Sequence, residues 1–413
     1  MLSFRRFAPV LAVSLAFLIP PGLAAADTGQ NAGASPATAG SANGAVHSKR
    51  VCAASPAGYA ACHARVVTDA NLTPLATTTY SAGYSADQLR TAYGLSVGSA
   101  PLVAIVDAYA NPAATTVSDL TAYRNRMGLS TANLTQVNQT GGLITTVSPN
   151  VGWGQEEMLD LEMISAICPA CPILYVGANS ASFADLGTAV NQAVAQRASV
   201  ISNSYGASEF SGEAAYAWYY DHPGVAITVS SGDSGYGAQA PAAFKTVTAV
   251  GGTHLTLNTN GTRNTETVWS GAGSGCSSYI SKPAWQKDTA CARRTIADVA
   301  AVADPATGVA VYDSYGSTGG ANWYVFGGTS VAAPIIGAVY ALSGNTAGVP
   351  ASFAYPSLTV PPVPPPGSLY DVTSGSNGRC VRGKSTSGAY LCTGVGGYDG
   401  PTGNGTPNGT LAF

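Results

Sequence analysis

Charge is scarce in this sequence. Only 9% of the 413 residues are Asp, Glu, Lys or Arg, and 18 basic residues stand against 21 acidic ones. No basic stripe for nucleic acid and no polybasic membrane patch can be assembled from so few. In acid the chain would carry at most those 18 cations and four histidines, so self-repulsion, a main cause of acid unfolding, stays modest. Long apolar runs are also missing. The longest, Ala8 to Ile19, is interrupted by Pro20 and Pro21 and is shorter than the roughly 20 residues of a spanning helix. Preceded by Arg5 and Arg6 and followed by Ala24-Ala25-Ala26, it reads as a secretory signal peptide over residues 1–26, not an anchor. No internal repeat and no obvious linker divides the chain from Ser85 to Phe413, so one large domain is expected.

Histidine is scarce too: His47, His63, His222 and His254 are all there are. That matters because FGGTSVAAP (326–334) opens a helix with Gly-Thr-Ser, a presentation suited to a nucleophilic Ser330. None of the four lies in a His-Gly-Thr setting, so the group that takes the proton from Ser330 must be sought elsewhere. A Gly-Thr-Ser run is also an ordinary helix cap.

Elsewhere the pattern is strand and helix in alternation. SADQLRTAYGL carries a Ser-x-x-Gln capping box with apolar residues at helical spacing. PLVAIVDAY (101–109), PILYVGA (172–178), ASVISNSYG (198–206), VAITVSSGD (225–233) and TVTAVGG (246–252) read as buried strands. Helices are expected at 118–128, 153–167, 184–196 and 212–222, a strand at 308–316, a buried helix at 330–342, and a stiff connector at PPVPPPG (361–367). The class is α/β with a mostly parallel sheet, whose sites form at the carboxyl ends of strands. Residues 27 to about 50 hold little that can be buried and read as flexible or removable. The expected division is thus 1–26 leader, 27–80 short pro-segment or N-terminal extension, and 81–413 main domain.

Eight cysteines in an exported chain imply disulfides, and the neighbours Cys52/Cys62, Cys168/Cys171, Cys276/Cys291 and Cys380/Cys392 favour four short loops. CPAC follows a helix rather than opening one, so no helix N-terminus activates a thiolate there. Six Asn-x-Ser/Thr sequons occur, at Asn71, Asn133, Asn138, Asn260, Asn404 and Asn408.

Chemistry concentrates in three places. In GWGQEEMLDLEMISAI (152–167), Glu156 and Asp160 are four apart and project from one helix face, where two carboxyls cannot easily both ionise. Such a pair can share a proton and accept one from a serine; on an exposed helix the same pair would be a solvated face, but Met158, Leu159, Leu161, Met163, Ile164 and Ile167 suggest enclosure. Asp233, in VSSGDSGYG, sits after a strand among glycines. Protonated, it would donate a hydrogen bond to an oxyanion; the plain alternative is an Asx turn. Ser330 is the third.

In this order the three motifs resemble the sedolisin family of serine-carboxyl peptidases, subtilisin-like endopeptidases that work in acid, over about Tyr84 to Phe413. The resemblance implies a subtilisin-like three-layer sandwich with Ser330 as nucleophile, Glu156 as general base and later acid, Asp160 as its partner, and Asp233 as oxyanion-hole acid. It also implies one structural Ca²⁺, held by side-chain oxygens of Asp371 and Asp399 and carbonyls of Val372, Val395 and Gly397, a hard-oxygen shell. Val395 stands where the family often has glycine, and a Gly/Asn turn cluster is the alternative. Asp107 occupies the place of the acidic triad member of subtilisins and is taken as structural or supporting; Glu157 and Glu162 are understudies for the base. The family carries a long folded pro-domain, whereas roughly fifty residues precede SADQLRTAYGL after the leader, so activation is expected to differ. The expectation is a secreted, monomeric endopeptidase acting on protein and peptide substrates. A serine peptidase using His222 or His254, or a silent binding protein on the same scaffold, are the alternatives.

Overall fold

The computed structural model describes residues 46–413 except 99, 318, 347, 356–366 and 381–387. The leader at 1–26, residues 27–45 of the extension and all but the last residue of the proline connector lie outside the described residues.

Residues 46–80, read from sequence as part of an extension, are built into the fold. They supply β1 (His47–Arg50), β2 (Ala61–Cys62) and β3 (Arg65–Thr68). Such short strands carry no periodicity of their own and form only because distant partners complete them. From Ser85 the alternation sets in. The capping box closes on α1 (Ala86–Ala92), Ser85 Oγ accepting from Gln88 N and Gln88 Oε1 from Ser85 N. β4 (Val103–Ala108) follows, then α2 (Ala113–Arg126), which starts five residues ahead of the expected 118 because Pro112 sets its beginning. β5 (Leu134–Asn138), α3 (Val151–Ile167), β6 (Ile173–Ala178) and α4 (Phe183–Ala195) come next.

The stretch expected as one strand over 198–206 is broken. β7 (Val200–Asn203) stays in the central sheet, and after Ser204 the chain leaves it as β8 (Tyr205–Ser208). The helix expected at 212–222 is a 3₁₀ helix, Glu213–Tyr220, where rings at 216, 218, 219 and 220 lose rotamer freedom against an α-helical turn. β9 (Ala226–Ser230), β10 (Gln239–Ala240), β11 (Thr248–Leu257) and β12 (Arg263–Val268) lead to a hairpin of β13 (Gly275–Ser281) and β14 (Arg293–Ile296), then β15 (Val299–Val302). The strand expected at 308–316 is the shorter β16 (Val309–Tyr312), antiparallel to β17 (Trp323–Gly327) outside the central sheet. α5 (Thr329–Ser343) closes the core.

The central sheet runs β12-β11-β9-β7-β4-β6-β5, with β15 also on β11. All its pairings are parallel except β12 on β11. Period-2 alternation divides each strand between two cores: Val103 and Ile105 join α1, α3 and α5 on one face, while Ala104, Val106 and Ala108 join α4 on the other. The three-layer α/β sandwich is therefore as expected. β4 lies where the chain order of the strands reverses, between β6 and β7, the switch point at which such sheets place sites. All four disulfides join sequence neighbours: Cys52–Cys62, Cys168–Cys171, Cys276–Cys291 and Cys380–Cys392.

Candidate active site

α3 carries apolar residues on nearly every side and is buried. Every residue from Glu156 to Ile167 is inaccessible, so its carboxyls cannot reach water. Glu156 Oε2 accepts from Ala64 N at 3.0 Å, and Oε1 has no partner. Asp160 Oδ1 accepts from Ser204 Oγ at 2.8 Å, and Oδ2 has none. Burial pushes Glu156 well above the carboxylate range, and Asp107 pushes it further; the neighbouring Ser330 hydroxyl and the Ala64 N–H pull it partly back. Burial and then Glu156 raise Asp160 in the same way.

Asp107, taken from sequence as structural or supporting, lies beside the acid pair. It ends β4 at the switch point, neither of its buried oxygens has a partner, and it is the largest charge effect on Glu156. Asp160 and Glu157 raise it in turn after burial. The cluster therefore has three carboxyls. The understudies are engaged elsewhere: Glu157 accepts from Asn111 N and Thr116 Oγ1, both 2.7 Å, and Glu162 from Tyr312 N at 3.0 Å.

Ser330 is the second residue of α5 and is 0% exposed. Its hydroxyl donates to the Ser204 carbonyl at 3.2 Å and lies against the Glu156 carboxyl. Pro334 falls in the second turn of α5. Its missing N–H frees the Ser330 carbonyl, which takes a long 3.4 Å bond from Ser204 Oγ instead. Ser204, missed in the sequence, is thus the residue that ties the serine to the acid pair. Its only advance signal was its place at the end of a buried strand, in SNSYG.

Asp233 follows β9. Its Oδ1 accepts from Thr329 N and Thr329 Oγ1 at 2.8 and 2.9 Å, which ties it to the residue before the serine; Oδ2 is buried with no partner. Burial lifts it to about 6 against the pull of Thr329, Arg65 and Arg50. A cleft of about 430 Å³ bordered by Arg65, Ser234, Trp269 and Asp304 opens beside it. The four residues expected to act together, Glu156, Asp160, Asp233 and Ser330, are thus brought to one place.

The histidines are occupied otherwise. His222 Nε2 meets Asn191 Oδ1 and the Tyr219 carbonyl, His254 Nδ1 meets Asp304 Oδ2, and both ring nitrogens of His63 are taken by Ser230 and Gln239.

Asp371 and Asp399 come together near the C-terminus. Val395 N donates to Asp399 Oδ2 and Gly397 N to Asp371 Oδ2, and burial, with Asp371 beside it, lifts Asp399 to about 7. Among the described residues no three His, Cys, Asp or Glu side chains form a metal cluster. Two adjacent carboxyls are donors of the hard-oxygen type that Ca²⁺ takes.

A parallel sheet covered on both faces, with a helix-opening serine beside carboxyls at its switch point, defines a protein of the subtilisin-like class. The model of the subtilase family matches residues 130–348. Kumamolisin of Bacillus sp. (strain MN-32) is 30% identical over 316 residues, 68% of this chain and 55% of that protein. Xanthomonalisin of Xanthomonas sp. (strain T-22) is 27% identical over 358 residues, 69% of this chain and 41% of that protein. The solved Pseudomonas sedolisin, a serine-carboxyl proteinase complexed with two molecules of pseudo-iodotyrostatin, superposes with a TM-score of 0.65 at 27% identity, covering 81% of this chain and 96% of that one. The chain belongs to the subtilase family, in its sedolisin branch. It spans about half the length of the curated relatives it matches.

Proposed function

We propose that this protein is a secreted serine-carboxyl endopeptidase that hydrolyses exposed protein segments in acid. The observation that carries the reading is the partnerless, buried Oε1 of Glu156 beside the Ser330 hydroxyl, with a second partnerless acid at Asp160 Oδ2. With one proton held between Glu156 and Asp160, the ionised Glu156 takes the serine proton and is neutralised as Ser330 Oγ attacks a carbonyl carbon, while Asp160 orients it. Asp233 Oδ2, protonated, donates to the developing oxyanion. Glu156 then returns the proton to the leaving nitrogen, and water releases the acyl group from Ser330.

The pH requirement follows from Asp233. Held at about 6, it is a donor below that value and an anion that repels the oxyanion above it. Ca²⁺, held by Asp371, Asp399 and the carbonyls of Val372, Val395 and Gly397, would neutralise the two carboxylates and pin the C-terminal loops. Export fits the leader and the four disulfides. The described residues include no helix long and apolar enough to cross a membrane.

Casein hydrolysis at about pH 4, lost in Ser330→Ala and Glu156→Gln with the fold intact, is the expected result; full activity in either variant refutes the assignment. Chelation is expected to lower the melting temperature of Ser330→Ala and added Ca²⁺ to restore it.

A further inference from the structure

Asp233 can serve an oxyanion only if its carboxyl stays at one point, since a group displaced by about 1 Å loses most of its value. Yet the backbone that carries it is soft by composition. Gly232, Gly235 and Gly237 take positive φ, at 116°, 74° and 151°, and residues 231–238 belong to no strand between β9 and β10. Glycine has the most conformational freedom to lose on folding. Thr329 fixes the carboxyl itself, and the loop backbone needs partners of its own.

The first partner is another glycine-rich loop, Gly271-Ala272-Gly273-Ser274. Gly273 N donates to the Gly232 carbonyl and Gly235 N to the Gly271 carbonyl, both at 2.8 Å, and Gly237 N donates to the Ser274 carbonyl at 2.7 Å. The approach is close: a Cβ on Gly273 would stand 2.1 Å from the Ser231 oxygen. One glycine loop resting on another is not yet rigid.

Asn377 ties the two together. It is 3% exposed, in a stretch, 373–378, whose other residues are all exposed. Its main-chain carbonyl accepts from Tyr236 N at 3.0 Å, and a Cβ on Gly235 would stand 2.6 Å from that oxygen. Its Nδ2 donates to the Ala272 carbonyl at 2.5 Å and to Ser274 Oγ at 2.8 Å. Ser274 Oγ spends its own hydrogen on the Leu391 carbonyl at 2.6 Å, so it can only accept from the amide, and the orientation of Asn377 is fixed. Asn377 N donates to the Cys392 carbonyl at 3.0 Å, which anchors the residue from a third side. Its Oδ1 is buried without a partner. A residue that only filled space would be apolar here, because an unpaired buried oxygen costs stability. What the amide supplies against that cost is the pair of bonds to the loop on which Asp233 rests.

We infer that Asn377 is a positioning residue for the reaction: it clamps residues 232–237 against residues 271–274 and acts on the chemistry through Asp233. The inference rests on the peptidase reading above and adds to it a residue far outside the acid cluster in sequence. With the clamp in place, the Asp233 carboxyl meets the oxyanion without first having to be ordered.

The test is a double-mutant cycle on the full chain: parent, Asn377→Ala, Asp233→Ala and the double variant, each assayed for turnover at saturating casein at about pH 4. Denaturant unfolding of each variant refers the rates to folded molecules. Asn377→Ala is expected to lower turnover by about 10–10²-fold in the parent but by less than about twofold once Asp233 is alanine. Should Asn377→Ala fold poorly, Asn377→Ser, which keeps one donor, enters the same cycle with a smaller loss of the same non-additive form expected. An equal fold-loss in both backgrounds makes Asn377 part of the scaffold and overturns the inference while the peptidase reading stands. Parental turnover in Asn377→Ala does the same. A parent chain that leaves casein intact overturns both.

Discussion

Two buried acidic sites in this molecule are equally dry and opposite in character. Around Asp298 every carboxylate oxygen is satisfied: Oδ1 accepts from Arg294 Nη1 at 2.7 Å and Tyr355 OH at 2.6 Å, Oδ2 from Ala249 N at 2.7 Å and from Arg294 Nη2. Arg294 also lies over the Trp285 ring, 5.1 Å from its centroid. Around Glu156, Asp160 and Asp107 no cation approaches, and four oxygens are left without a partner. A charge whose every oxygen is paired holds structure. Carboxyls packed beside one another are pushed toward the protonated form, which costs stability as charge and makes proton transfer possible.

Substitution breaks this contrast in a graded way. Glu156→Gln carries the largest expected effect, a fall of about 10²–10⁴ in casein hydrolysis at about pH 4, with unfolding by denaturant little changed. A variant that unfolds but turns over normally when folded would make the cluster structural after all. Asp298→Asn should do the reverse. Leaving Arg294 without its counter-charge costs about 3–5 kcal/mol in denaturant unfolding while turnover per folded molecule persists at low temperature. Next comes Asp233→Ala, which loses an oxyanion donor and about 10²–10³ in turnover. Asp233→Asn keeps a donor at every pH, so its activity should extend above pH 6 where the parent's fades. An unchanged upper limb in the pH profile would remove Asp233 from the mechanism.

The effect that is smallest per pH unit is distributed. Burial lifts Glu157 and Asp313 to about 7, with hydrogen bonds from Asn111 N and from Tyr315 N, respectively, pulling back. Carboxyls raised on folding bind protons more tightly in the native state, so the stability they confer is full below their unfolded values near 4 and is lost as pH rises through about 7. Denaturant unfolding of Ser330→Ala should weaken between pH 4 and 8 by on the order of 1.4 kcal/mol per pH unit for each carboxyl titrating. A flat profile would mean that these groups are hydrated.

The sequence disclosed what is periodic or local. The i, i+4 pair on an all-apolar helix, the serine opening α5, the alternation of the parallel sheet and the four short disulfide loops were all legible, because each is a pattern within a few residues. Asp107 was undervalued because a single acid at a strand end has no spacing to announce its neighbours. Ser204 was passed over because the break between β7 and β8 is set by β2 and β10, far away in sequence. Residues 46–80 looked like an appendage because Ala, Gly and Ser runs have no moment; their order comes from pairing with β8 and β17, from the β1–β3 ladder and from the Cys52–Cys62 bridge.

One pairing has a kinetic consequence. β1 and β3 form a four-rung ladder, His47 opposite Thr68 through Arg50 opposite Arg65. The ladder holds residues 47–50 to β3, so their amides should exchange slowly with solvent deuterium, and rapid exchange there would show that the ladder holds nothing back.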